Sequence, residues 1–292
     1  MTKLATASMS VVYDKQANLK KYLTFIDEAA AQGADLLVLP EQSLQGYLPS
    51  STQLNLSHYQ YQYENAEFVP GGASVRAICE KAAESNIHIV FGMTEKDEES
   101  DYMLYNTAVL AGPAGYIGKY RKVHRPLDEI HMYYAGEEFP VFQTRIGRIC
   151  MLICFDKVFP ESAREAALGG AQIIVVPVAW GGAPISEDAT DRENDPGIER
   201  HRLFDRVRAI ENQIFLISSN VYGNLGATGY LGNSNIVNPS GVIVATTGCK
   251  EGIVYADVDL DHEIYKGKTI AMMGSNLIRE RRPLLYKRLR GE

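Results

Sequence analysis

The feature that most constrains this chain is an alternation. Short apolar runs rich in Val and Ile recur along its length, and amphipathic stretches with helical spacing stand between them. The runs at 4–12, 35–40, 88–96, 105–112, 148–156, 173–180, 214–223, 235–246 and 253–260 are short and bounded by turn residues, so they read as strands. Residues 16–32 place Leu19, Tyr22, Leu23, Ile26 and Ala30 on one helical face and stop at Gly33. Residues 73–85 align Val75, Ile78, Cys79 and Ala82, and residues 198–212 align Leu203, Val207 and Ile210. The segment 160–170 opens on Pro160 and closes on Gly169 and Gly170, a start and stop pair. Strands alternating with helices predict an α/β protein whose sheet faces are covered. No internal repeat or linker interrupts the pattern, so residues 1–292 are expected to form a single domain. Two stretches, 48–70 and 181–197, read as long irregular loops, a frequent seat of function.

Composition excludes several classes. The formal net charge is -7 and no Lys/Arg run stands out, so a nucleic-acid partner has no electrostatic footprint. No apolar run approaches the roughly 20 residues that a membrane helix needs. The N-terminus lacks the apolar core of a signal peptide, and a cytoplasmic protein without a membrane partner is expected. The four cysteines, Cys79, Cys150, Cys154 and Cys249, are too few for a disulfide scaffold. Cys150 and Cys154 lie in one apolar run, about 13 Å apart if it is extended, and cannot bridge each other. His124 and His131 flank Glu129 but have no third ligand at a recognisable spacing, so no metal and no cofactor is expected.

Three apolar strands end in reactive side chains: DLLVLP at Glu41, YIGKYR at Lys122 and RICMLI at Cys154. Ligands of α/β sheets gather at the carboxyl ends of strands, so these three residues are candidates to converge. Each alone has an ordinary reading: a turn carboxylate, a solvated lysine, an inert core cysteine.

The blocks together resemble the nitrilase superfamily of carbon–nitrogen hydrolases, in its amidase and carbamoylase branches. The matching segments are LVLPEQSLQGY around Glu41, GKYRKVHRP around Lys122 and CFDKVFPE at 154–161, with support from RAIENQIFLISSN (208–220) and GNSNIVNPSG (232–241). They stand in the family's order and span nearly the whole chain. The resemblance implies a four-layer α-β-β-α sandwich and a homodimer or larger homo-oligomer. It also implies a Cys154 nucleophile, Glu41 as general base and Lys122 stabilising the oxyanion. Glu129, seven residues before Gly136, matches the family's second glutamate. The backbone N–H of Phe155 is the expected second oxyanion donor, and Tyr47 and Trp180 are candidate walls of the substrate pocket. Asp156 and Glu161 read as structural.

True nitrilases resemble one another in a Cys-Trp-Glu run, whereas this chain has Cys154-Phe155-Asp156. Carbamoylases acting on amino acids tend to carry paired arginines just after the nucleophile, where this chain has Lys157-Val158. The expected partner is therefore a small-molecule amide, hydrolysed to a carboxylic acid and ammonia. An N-carbamoyl substrate releasing carbon dioxide and ammonia is the first alternative. A nitrile substrate and a catalytically silent binding protein that keeps the fold are the others.

Overall fold

A computed structural model of the chain describes residues 1–49, 55–100, 102–182, 185 and 193–290. In chain order its strands are β1 (Thr2–Ser8), β2 (Leu36–Val38), β3 (His88–Lys96), β4 (Leu104–Gly112), β5 (Gly115–Arg121), β6 (Val141–Thr144), β7 (Gly147–Met151) and β8 (Ile173–Val178). They continue with β9 (Gly181–Gly182), β10 (Phe215–Asn220), β11 (Tyr222–Leu225), β12 (Thr228–Leu231), β13 (Asn235–Val237), β14 (Ile243–Thr246) and β15 (Gly252–Val258). The helices are α1 (Lys15–Ala31), α2 (Leu56–Asn65), α3 (Ala73–Glu84), α4 (Leu127–Ile130), α5 (Pro160–Leu168), α6 (Pro196–Asn212) and α7 (Leu260–Thr269).

Two six-stranded sheets carry the fold. The first has the order β15-β1-β2-β3-β4-β5 and the second β14-β13-β10-β8-β7-β6. Strand periodicity explains how they stack. Leu36, Val38, Val90, Ala108 and Leu110 point from the first sheet into a core shared with Ile149, Met151, Ile173, Val175 and Ile217 of the second. Their neighbours Leu37, Ile89, Phe91 and Val109 point the other way, onto Tyr22, Phe25 and Ile26 of α1 and Val75, Ile78 and Ala82 of α3. Alternate residues of one strand thus serve two cores, which is why the runs are apolar throughout. On the far side, Ala163 and Ala166 of α5 and Ala209 of α6 pack on the second sheet. The layers are helix, sheet, sheet and helix, the expected α-β-β-α sandwich.

The strand runs correspond to observed strands, the run 214–223 taking in β10 and the start of β11; two runs, one loop and one helix face need correction. The run 148–156 stops being a strand at Met151, and Cys154–Val158 forms a 3-10 turn. The Asp156 carboxylate accepts a bond from the Ile153 N–H at 3.0 Å and pulls the chain round. The run 235–246 is two strands, because Gly241 sits in the left-handed region (φ 75) inside a turn closed by Asn238 N–H to Val242 O. The stretch 48–70 is not wholly irregular: Asn55 caps α2, its side chain accepting from the N–H groups of Ser57 and His58. Only Gln62 of that helix is buried, so no apolar stripe announced it. Helix α6 turns Leu203 outward, 50% exposed, and buries His201, Asp205 and Arg208 instead. Of the loop 181–197, residues 183, 184 and 186–192 lie outside the described residues. All four cysteines are free. Among the described residues no helix is long and apolar enough to cross a membrane.

Candidate active site

Glu41 follows β2 after Leu39 and Pro40. The turn is drawn against β3 by the bonds Leu39 N–H to Val90 O and Gly92 N–H to Pro40 O. Gly92 is needed there: a Cβ at that position would stand 2.5 Å from the Gln42 nitrogen and 2.7 Å from the Glu41 Cα. The absent side chain lets the Glu41 turn lie directly on the strand. Gln42 takes a left-handed φ of 44, so the residue after Glu41 carries backbone strain.

Lys122 follows β5, and its N–H bonds to Asn106 O across from β4. Its side chain is fully buried and donates to Glu41 Oε1 at 2.7 Å and to Glu129 Oε1 at 2.5 Å. Asn106 was not anticipated, yet it joins both carboxylates, donating from Nδ2 to Glu41 Oε1 at 2.8 Å and to Glu129 Oε2 at 3.2 Å. Its only signal is an amide side chain early in the strand run YNTAVLAG. The Tyr47 hydroxyl donates to Glu129 at 2.7 Å, which ties that residue to the charged cluster. The chain after Glu129 is held close by Gly136 N–H to Lys122 O, and a Cβ on Gly136 would lie 2.1 Å from Arg121 O.

Cys154 comes from the facing sheet. Its turn has φ 44 and places the thiol among charges from both sheets. Asp156 holds the turn from below, accepting from Tyr120 OH at 2.7 Å and His124 N–H at 2.9 Å. The sequence reading of Asp156 as a structural residue agrees with these bonds. His124 also has Nδ1 2.9 Å from Asp156, so it serves this turn. The N–H of Ala179, just past β8, donates to Glu41 Oε2 at 2.7 Å, a contribution no side-chain pattern reveals.

Electrostatics follow from this burial. Burial alone pulls the Lys122 ammonium down, but Glu129 and Glu41 outweigh it and hold its pKa above the ordinary value. Burial raises the Glu129 carboxyl, with Lys122 opposing. Burial first and Glu41 second push the Cys154 thiol well above its usual range, while Lys122 and the Ala179 backbone pull the other way. The arrangement sets a buried thiol beside the Glu41 and Glu129 carboxyl groups and the Lys122 ammonium, which suits a nucleophile needing a base. Phe155 and Trp180 are both half-buried. Trp180 N–H donates to Asn220 Oδ1 at 2.9 Å, and its ring lies 5.2 Å from Lys157 Nζ.

The carbon-nitrogen hydrolase family model matches residues 3–263. A probable nitrilase of Schizosaccharomyces pombe is 32% identical over 282 residues, covering 95% of this chain and 94% of its own. The omega-amidase NIT2 of Homo sapiens is 31% identical over 270 residues, covering 88% of each chain. Among solved structures, Nit3 of Saccharomyces cerevisiae, a member of branch 10 of the nitrilase superfamily, matches with a TM-score of 0.79 at 29% identity over 93% of this chain and 94% of its own. The NitN amidase of Nesterenkonia sp. AN1 matches with a TM-score of 0.75 at 25% identity over 99% of this chain and 100% of its own.

Proposed function

This chain belongs to the carbon-nitrogen hydrolase family, and we propose that it is an amidase converting a small non-peptide amide into a carboxylic acid and ammonia through a thioester on Cys154. The observation that carries the reading is that Glu41 and Lys122, paired on one sheet, interact electrostatically with the Cys154 thiol on the strained turn of the other. A buried thiol with a raised pKa rests protonated, so attack requires a base within reach. Glu41 takes the thiol proton as Sγ bonds to the amide carbon, and the carbon–nitrogen bond breaks as that proton passes to the leaving nitrogen. Ammonia departs and the thioester remains. Glu41 then takes a proton from water, whose oxygen attacks the thioester, and Sγ leaves with the proton restored.

Lys122 and the Phe155 N–H stabilise the oxyanion in both halves, at about 3 kcal/mol per preorganised donor. Glu129, Tyr47 and Asn106 keep the ammonium aimed, since each bonds Lys122 directly or bonds its carboxylate partner. One observation weighs against a carbamoyl amino acid. Lys157, the cation that would anchor a carbamoyl-amino-acid carboxylate, is fully buried on His201 and Asp205.

Intact-mass measurement over a panel of amides, ureides and nitriles tests the reading. Amides should add an acyl mass to the wild-type chain and none to Cys154→Ala, which should also lose all turnover. Turnover of ureides alone would replace the amidase by a carbamoyl hydrolase. A fully active Cys154→Ala enzyme would remove the thioester mechanism.

A further inference from the structure

Helix α6 buries its polar side. His201, Asp205 and Arg208 are 5% exposed or less. Burying such groups costs several kcal/mol each unless they are paired. All three are paired, and they share one target, the turn that carries Cys154. Lys157 Nζ donates to Asp205 Oδ1 and to His201 Nδ1, both at 2.7 Å. Arg208 donates from Nε to Lys157 O at 2.8 Å and from Nη2 to Val158 O at 2.9 Å.

The far side of the cluster is anchored as well. Asp205 Oδ2 accepts from Ser218 Oγ at 2.6 Å and from Asn235 Nδ2 at 3.0 Å, on β10 and β13. His201 Nε2 lies 2.9 Å from Asn233 O, so Nε2 carries the proton and Nδ1 is left to accept from the ammonium. The Trp180 ring centroid is 6.0 Å from that of His201.

A buried ion pair is a weak stabiliser compared with a packed apolar pair of the same volume. Its value is directional. Cys154 stands at φ 44, a region costly for a residue with a Cβ, and must be held there by its surroundings. Glu41 and Lys122 belong to the other sheet, so a relaxed turn would carry Sγ away from both.

We propose that Asp205, acting through Lys157, is a positioning residue for acyl transfer: the buried pair, with Arg208 on two carbonyls, holds the Cys154 turn in its left-handed form and seats Trp180 beside it. The inference rests on Cys154 being the nucleophile.

The test compares Asp205→Asn and the double variant Lys157→Met/Asp205→Leu with the wild-type enzyme in kcat, KM, thermal unfolding and the rate of Cys154 alkylation by iodoacetamide. Asp205→Asn should lower kcat by about 100-fold, the scale of a misplaced reacting atom, with KM nearly unchanged. Alkylation should slow alongside kcat. The double variant, with an apolar pair in place of the ionic one, should regain thermal stability without regaining kcat. Wild-type kcat in folded Asp205→Asn would overturn the proposal. So would a double variant that recovers stability and kcat together, which would mark the pair as structural only. If Cys154→Ala is inactive while Asp205→Asn is unimpaired, the nucleophile stands and only the positioning role falls.

Discussion

Helices α1 and α6 are each 17 residues long and cover opposite sheets, yet they hold on by different physics. Helix α1 sends Tyr22, Phe25, Ile26 and Ala29 into the core. That attachment is mostly by area and tolerant of side chains of suitable size, with a few directed bonds, from the Tyr22 hydroxyl to Gly92 O and from the buried Asn18 Nδ2 to Leu44 O. Helix α6 sends His201, Asp205 and Arg208 inward, onto fixed partners at hydrogen-bond distance. The difference follows from what each sheet must present. On the first sheet, Glu41, Lys122, Glu129 and Asn106 fix one another, and the covering helix adds the Tyr22 hydroxyl, which bonds Ser43 and Gly92 O behind the Glu41 turn. On the second sheet the sulfur sits on a strained turn held by Asp156 on one side and gripped through Lys157 and Val158 by the covering helix on the other.

The comparison breaks most easily at Ile26. Ile26→Ala should cost about 3–4 kcal/mol of unfolding free energy through the cavity it leaves. Per folded molecule its kcat should match wild type, in contrast to Asp205→Asn. Urea unfolding paired with active-site titration checks both halves.

A second, smaller effect is the acid sensitivity that α6 contributes through His201. Burial, then Lys157, lowers the His201 pKa from 6.5 to about 4. Between those values the unfolded chain binds a proton that the folded one refuses, so stability falls as pH falls through that window. The loss from this group reaches on the order of 3 kcal/mol by pH 4. His201→Gln retains an acceptor and a donor but no titration, so its unfolding free energy should fall less between pH 7 and pH 4 than that of wild type. Equal losses in the two proteins would assign the acid sensitivity elsewhere.

The smallest effect separates the ends of α1 from its face. Asp14 caps the helix, accepting from the N–H groups of Gln16 and Ala17 at 2.9 and 3.0 Å. Asp14→Ala should cost about 1 kcal/mol and leave kcat untouched, measured by the same urea titration.

The two helices also differ in how far the sequence discloses them. The stripe Leu19, Tyr22, Leu23, Ile26 and Ala30 identifies α1 and lies beside its buried side, Asn18, Tyr22, Phe25, Ile26 and Ala29, because apolar area mostly holds it. In α6 the stripe Leu203, Val207 and Ile210 finds the helix but points to the wrong face. Periodicity assumes that the buried side is the apolar one, and here ion pairs outweigh it. The same limit hid Asn106 and Lys157, polar residues whose partners lie 23 to 65 and 44 to 48 positions away.

The sequence by itself determined an α/β chain with covered sheet faces, through strand-like runs alternating with helical stretches, and the family resemblance supplied the four layers; it also made candidates of Glu41, Lys122 and Cys154, at strand ends in family blocks, and of Glu129, by the family match alone. Those are local properties, readable from neighbours in the chain. Only the tertiary structure decided that Cys154 stands on a left-handed turn beyond its strand, that Ala179 lends its N–H to Glu41, and that α6 faces inward with charge. Each of these depends on groups brought together by the stacking of two sheets, and the energy of a buried charge depends on partners the local sequence does not contain.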